Sequence, residues 1–207
     1  ILAWLEFRRV LFRSTHQEPN RDDYTQSTAK SRPQAEQLTD LELNYRYTDK
    51  KFFGQVTFYN MSYSNQLVLT GAVNNVGNYT RSNVSESYRR GVELQTKWIP
   101  NDKITLGMNL TLSKNKIKEF IEYTDEYDAD YNYTGQSKII FNNTTIAFSP
   151  ALIGNINFTY KFNEHLSASI IERYIDKQYL DNTTNESRII KSYMVTDARI
   201  SYKRKTS

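Results

Sequence analysis

The 207 residues carry 27 Lys and Arg against 23 Asp and Glu, a formal charge of +4, and include 16 Tyr and 10 Phe but 7 Gly, 4 Pro, 2 His and no Cys. Without cysteine there is no disulfide scaffold, thiolate metal site or cysteine nucleophile, and His16 and His165 stand in no metal-ligand spacing and complete no catalytic triad. No apolar stretch approaches the roughly 18 residues of a membrane helix. A mean hydropathy of −0.70 still leaves room for a transmembrane β-barrel, whose outward and inward residues alternate and average out.

The first segment in chain order, "LEFRRVLFRS" over residues 5–14, has Arg8, Arg9 and Arg13 breaking its apolar residues. It therefore lacks the uninterrupted apolar run of a signal peptide. It has some character of a short basic helix at a membrane surface. Letter for letter, however, it resembles one reading frame of a common sequencing-adapter oligonucleotide, and residues 1–14 are set aside as a non-native scar. With that segment go three Arg and Glu6, so the formal charge of the remainder falls from +4 to +2. Such a small excess is no argument for nucleic acid as a partner.

From Leu41 the chain reads "LELNYRY", with Leu41, Leu43, Tyr45 and Tyr47 on one side and Glu42, Asn44 and Arg46 on the other. A period of two predicts a strand. The next apolar run, residues 52–63, changes face near Phe58 and Tyr59, as a bulge would make it do. Alternation returns at Val92, Leu94 and Trp98 against Glu93, Gln95 and Lys97. It continues at Ile104, Leu106, Met108, Leu110 and Leu112 against Thr105, Gly107, Asn109, Thr111 and Ser113. Ile156, Phe158, Tyr160 and Phe162 oppose Asn155, Asn157, Thr159 and Lys161. Residues 166–174 are less regular, with Ile171 and Glu172 on unexpected faces; Met194, Ala198, Ile200 and Tyr202 form a last stripe. The abundance of Tyr and Phe suits such pleated surfaces.

Short links over residues 48–51, 100–103 and 163–165 alternate with long ones over 64–87, 114–149 and 176–192. A soluble meander has no reason to put every long link on one edge, whereas an outer-membrane barrel has short periplasmic turns and long extracellular loops. Tyr47, Phe52, Trp98, Phe162 and Tyr202 all lie beside the short links and form one expected aromatic girdle. Ten residues at ~3.4 Å, tilted by about 45°, rise roughly 24 Å, matching the ~25 Å apolar band of such barrels. The expected class is all-β, an antiparallel transmembrane barrel segment of about seven or eight strands. Leu106, Met108, Leu110, Ile156 and Phe158 are expected to face lipid. The alternative that the alternation leaves open is a soluble or surface-attached β-sandwich that binds carbohydrate or acts as an adhesin.

Several ordered motifs then carry a resemblance: "EPNRDDY" over residues 18–24, "RPQAEQLTDLELNYRY" over 32–47, "YNMSYSNQLVLTG" over 59–71, "YRRGVELQTKW" over 88–98 and "LTLSKNKIKEF" over 110–120. Together they resemble the barrel of a TonB-dependent outer-membrane receptor of the Bacteroidetes type. The family's short "EPNR" segment matches Glu18, Pro19, Asn20 and Arg21, and its Pro, Glu, Leu and "ELGY" positions match Pro33, Glu36, Leu38, Glu42 and Leu43, with Asn44 in place of the glycine. The resemblance implies a 22-stranded barrel in the outer membrane of a Gram-negative bacterium. It also implies a plug domain that meets the TonB complex, and uptake of a scarce ferric siderophore, haem, cobalamin or oligosaccharide, without a cofactor or catalysis. Seven strands cannot close a barrel. Residues 15–207 are therefore expected to be barrel truncated at both ends, lacking the plug and the terminal aromatic strand.

Candidate binding residues lie in the long links. Tyr123, Tyr127 and Tyr131 are suited to stacking on a sugar or chelate ring, and Tyr79 with Arg81 to attracting an anionic ligand. Asp125, Asp128 and Asp130 offer carboxylates to Ca²⁺, although the segment lacks the glycine and fixed spacing of a calcium loop.

Overall fold

A computed structural model describes residues 4–25, 32–73 and 79–204. Strand β1 (Trp4–Gln17) is followed by a short helix α1 (Arg21–Thr25), then by β2 (Glu36–Thr48), β3 (Phe52–Val73), β4 (Tyr79–Asn101) and β5 (Ile104–Tyr127). After these come β6 (Tyr133–Thr145), β7 (Leu152–Lys161), β8 (Leu166–Ile175), the two-residue β9 (Gln178–Tyr179) and β10 (Ile189–Ile190), and β11 (Tyr193–Tyr202). One antiparallel sheet runs β1-β2-β3-β4-β5-β7-β8-β11, and β6 pairs with the far half of β5. Every neighbouring pair on that path is a hairpin, or a hairpin with an inserted excursion, so backbone groups are satisfied between consecutive strands.

Strand β1, which takes in residues 4–14 of the segment set aside above, pairs with β2 from Trp4↔Thr48 to Gln17↔Glu36. Strand pairing uses backbone groups that any sequence possesses, so this does not bear on where the segment comes from.

The short links are tight and locally explained. Asp49 accepts hydrogen bonds from the backbone N–H groups of Lys51 and Phe52, each at 2.7 Å. Asn101 does the same for Lys103 and Ile104, and Asn163 for His165 and Leu166. Asx side chains closing their own turns make these reversals short and rigid.

Two expectations are corrected. No bulge interrupts β3 at Phe58 and Tyr59: its register with β2 is unbroken from Thr48↔Phe53 to Gln37↔Ser64. Phe58 joins the apolar face, and Tyr59 the polar one. The links expected over residues 64–87 and 114–149 are largely strand, since β3 and β4 pair out to Val73↔Tyr79 and β5 and β6 to Tyr127↔Tyr133. Ile171 and Glu172 do stand on the unexpected faces, in one unbroken register of β8 with β11 from Leu166↔Tyr202 to Ile175↔Tyr193. Glu172 thus stands on the apolar face, where Thr196 donates a 2.7 Å hydrogen bond to it.

The faces are inverted relative to a soluble sheet. On β2, Leu41, Leu43 and Tyr45 are exposed while Glu42, Asn44 and Arg46 between them are half-buried. On β7, Ile156 and Phe158 are exposed while Asn155 and Asn157 are half-buried. The buried apolar cluster is small and sits beyond the apolar band, at the long-hairpin end: Val68, Val84, Ile117, Phe120 and Ile146, with Phe141 against it.

Over this end lies a strap, residues 176–192, which contains β9 and β10. Asn182 is fully buried; its amide accepts from the Ala147 N–H at 2.7 Å and donates to the Leu69 carbonyl at 2.5 Å. Thr184 accepts from the Thr145 N–H at 2.7 Å, and the Tyr179 carbonyl accepts from Phe148 at 2.9 Å. The strap therefore satisfies backbone groups released where β6 turns toward β7.

Candidate functional site

The apolar face is continuous. Leu106 pairs with Trp98 and Phe158, Met108 with Thr96 and Ile156, and Leu110 with Leu94 and Gly154. Tyr47, Phe52, Trp98, Phe162 and Tyr202 share this face at its short-turn end, with Tyr47 and Phe52 ring centroids 6.0 Å apart.

Their positions define a slope. The cross-strand row from Tyr47 passes through Gly54, Thr96, Met108, Ile156 and Glu172 to Thr196 on β11. Trp98 stands two residues beyond this row after two strand steps, and Tyr202 six beyond it after six. One residue per strand, roughly 3.4 Å along for every 4.8 Å across, is a tilt of about 35°. A level aromatic belt with strands inclined at roughly 35–45° is the geometry of a membrane barrel wall.

The polar face carries a recess of about 360 Å³ lined among others by Glu42, Tyr59, Arg89, Glu93, Ser113 and Ser149. Tyr59 lies across Gly91. A Cβ there would meet the Leu112 carbonyl oxygen and stand 2.7 Å from the Tyr59 hydroxyl, which explains the glycine in "YRRGVELQ". Arg89 donates a 2.8 Å hydrogen bond to Ser149, which in turn donates to the Ala147 carbonyl, so the recess is tied to the turn beneath the strap. Asp40, fully buried on the same face, pairs with Arg13 at 3.2 Å.

The expected binding residues are only partly brought together. Tyr123, Tyr127 and Tyr131 lie on the β5–β6 hairpin, exposed toward its tip, and Tyr133 contacts Tyr127 edge-on at 6.0 Å. Arg81 is elsewhere and already engaged: its guanidinium forks onto Asp23 at 2.9 and 2.7 Å. The pair with Asp23 offsets the charge that Arg81 would present to an anionic ligand. The side chains of Tyr79 and Asp125 lie outside the described residues. Asp128 is used by the turn, its carboxylate accepting from the N–H groups of Asp130 at 2.9 Å and Asn132 at 2.8 Å. These bonds, Asn132 foremost, hold its carboxyl below the usual range. Among the described residues no group of three or more acidic or histidine side chains converges on a metal position.

Two features escaped the sequence reading. One is the Asn182 anchor, which sits in an Asn-Thr-Thr triplet with no local pattern to single it out. The other is the reciprocal cap in "EPNRDD": Asn20 accepts from Asp23 N–H at 2.9 Å and Asp23 accepts from Asn20 N–H at 2.8 Å. A capping residue followed three positions later by an acid was the available signal.

An antiparallel sheet with an exposed apolar band, an aligned aromatic belt and a polar opposite face defines a β-barrel wall. A family model described as TonB dependent receptor-like, beta-barrel matches residues 12–206. The chain belongs to that family, the barrels of TonB-dependent outer-membrane receptors. Its fold is similar to that of the copper transporter OprC (14% identity, TM-score 0.65, covering 92% of this chain and 28% of that one). It is also similar to the ferric-catecholate import receptor Fiu of E. coli K12 (15%, 0.61, covering 93% and 26%). The ferric yersiniabactin uptake receptor FyuA of Yersinia pestis is a third (16%, 0.56, covering 81% and 22%). The chain thus spans about a quarter of the length of these receptors. Among curated proteins nothing matches.

Proposed function

We propose that this chain is wall of an outer-membrane receptor in a Gram-negative bacterium, importing a scarce ligand with energy relayed by the TonB complex through a plug domain. The carrying observation is the exposed apolar face ending in a tilted aromatic belt. Leu106, Met108, Leu110, Ile156 and Phe158 contact lipid chains, and Tyr47, Phe52, Trp98, Phe162 and Tyr202 sit at the headgroup level. The polar face looks into the lumen. A soluble sandwich would cover Ile156 and Phe158 with a second sheet, and among the described residues nothing covers them.

The β5–β6 hairpin then projects outward and presents tyrosines to the medium. Large, amphipathic aromatic rings suit a flat aromatic chelate or a sugar ring. Haem, cobalamin and oligosaccharides fit this chemistry as well as a ferric siderophore does, but similar folds are named for ferric chelates, which makes a ferric catecholate the first ligand to try. In cells bearing the intact receptor, replacing Tyr123, Tyr127 and Tyr131 together by Ala should weaken binding of a radiolabelled ferric catecholate by at least about tenfold, from about 0.5–1.5 kcal/mol per lost aromatic contact. Unchanged affinity, with normal receptor abundance, would remove the hairpin from ligand capture.

A further inference from the structure

The apolar face changes character abruptly where its band ends. Along β5, the side that carries Leu106, Met108, Leu110 and Leu112 continues as Lys114, Lys116 and Lys118. Arg90 on β4 stands beside Lys114 and Tyr88 beside Lys116, with the Arg90 guanidinium 4.6 Å from the centre of the Tyr88 ring. Lys116 donates to neutral oxygens, the Asn143 carbonyl at 3.1 Å and the Thr145 hydroxyl at 3.0 Å. Among the described residues, Arg90, Lys114 and Lys116 form no ion pair. The nearby carboxylates are matched or set apart. Glu86 pairs with Lys118 at 3.1 Å, while Glu119 and Lys138, one of each sign, lie further out on the β5–β6 hairpin. Asp176, two strands away at the end of β8, accepts from the Tyr174 hydroxyl, and beside it Lys177 pairs with Glu186. Thr39 on β2 and Asn60 and Ser62 on β3 continue this level without charge.

We propose that Arg90, Lys114 and Lys116 form a binding site for the phosphate groups of a lipid headgroup in the outward leaflet of the membrane. The inference rests on the barrel reading above, which puts this face against lipid. Height is the first argument. Arg90 lies eight residues along β4 from Trp98 in the aromatic belt. At about 3.4 Å per residue and a tilt of about 35°, that is a rise of roughly 22 Å, and Lys114, one strand on, stands at roughly 25 Å. The apolar band of such a wall is ~25 Å tall, so both cations lie at its far rim, where phosphates are. Spacing is the second argument. With strands about 4.8 Å apart and alternate residues about 6.8 Å apart, the three charges fall within about 8 Å of one another, inside one screening length. They therefore act together on one phosphate-bearing group, through charge-assisted hydrogen bonds. Continuity selects a lipid over a free anion. Leu112 stands directly below Lys114 and is 50% exposed. An amphiphile satisfies the apolar row and the cations at once, whereas a free anion meets only the cations; the lysine stems lie along the wall while their amines reach the headgroup.

The test titrates the intact receptor in detergent micelles with lipid A, a phosphorylated glycolipid, and with the same glycolipid stripped of phosphate, and reads bound lipid by native mass spectrometry. The expected result is retention of the phosphorylated form at least several-fold above the stripped one. A basic residue near a charged lipid surface contributes about fivefold, so R90Q/K114Q/K116Q should lower lipid A retention at least about tenfold. K97Q/K161Q/R199Q, which removes the same charge from the opposite face, should leave it unchanged. K114Q alone, expected to cost about fivefold, decides the matter if the triple variant does not fold. Equal retention of the two glycolipids, or equal losses in the two triple variants, overturns the proposal. Displacement by inorganic phosphate at the concentration of the lipid overturns it in favour of a free anion. A photoreactive group on the acyl chains reports in parallel on Leu110 and Ile156. Labelling there without any dependence on phosphate sinks this inference alone, while no labelling sinks the barrel reading itself.

Discussion

At the scale of single residues, the informative positions are those whose chemistry conflicts with their face. Glu172 is the acid on the apolar band, at the level of Met108 and Ile156, with Thr196 as its hydrogen-bond donor. A carboxylate facing hydrocarbon costs free energy, less than an Arg or Lys at the same depth. E172L should therefore raise stability by up to about 2 kcal/mol in lipid vesicles, measured by urea unfolding; a loss would show that this face meets polar protein there. Gly91 is the converse. G91A forces a methyl group onto the Leu112 carbonyl oxygen and the Tyr59 ring, and should destabilise by about 1–3 kcal/mol. Y59A in the same background frees only the side-chain part of that clash, so it should rescue partially. The first conflict showed in the chain alone, as an acid on an unexpected face, and the second did not. Adjacent aromatics at Phe58 and Tyr59 resemble a slip because a polar face is not expected to use an aromatic, and the reason it does, a glycine 32 positions later, is visible only once β3 and β4 are paired.

At the scale of elements, the strap over residues 176–192 carries two carboxylate joints, Glu186 held by Lys177 and Tyr179, and Asp181 held by Thr183 and Arg188. Burial pushes the Asp181 carboxyl up, but hydrogen bonds from Thr183 and Arg188 outweigh it, and the net effect is a pKa below the usual carboxylate value. A group whose folded pKa is depressed contributes stability above its unfolded pKa, about 3.9, and loses it as pH falls through the lower folded value. Amide exchange at Ala147 and Thr145, whose N–H groups the strap covers, should thus be flat above about pH 5 and, relative to intrinsic exchange, accelerate below about pH 4. D181N should reduce that pH dependence, and a profile identical in D181N would assign it to Glu186, whose carboxyl the hydrogen bonds from Lys177 and Tyr179 also hold below the usual range. The membrane-height parts of β2, β5, β7 and β11 were legible because one face meets hydrocarbon and the other water, which writes a period of two into the sequence. The outer halves of β3, β4, β5 and β6 were not. Around Lys114, Lys116 and Lys118 one face is lysine and the other mixes Asn115, Ile117 and Glu119, so the alternation fades, and strand and loop look alike until the pairing with β6 is known. The Arg81 and Asp23 pair failed for a different reason: 58 residues separate the partners, and no local pattern couples them.

At the scale of the whole molecule, the account depends on which side of one sheet meets lipid. Leu110 and Thr111 are neighbours on β5, equal in depth and opposite in face: Leu110 pairs with Leu94 and Gly154, Thr111 with Glu93 and Ile153. The most direct measurement is the unfolding free energy of L110R and T111R in phospholipid vesicles, using the intact receptor. The barrel account predicts a loss of roughly 2–4 kcal/mol for L110R near mid-bilayer depth and less than about 1 kcal/mol for T111R, whose guanidinium enters a wet and polar lumen. Equal losses in the two variants, or no loss in either from a protein that leaves the membrane without detergent, would contradict it.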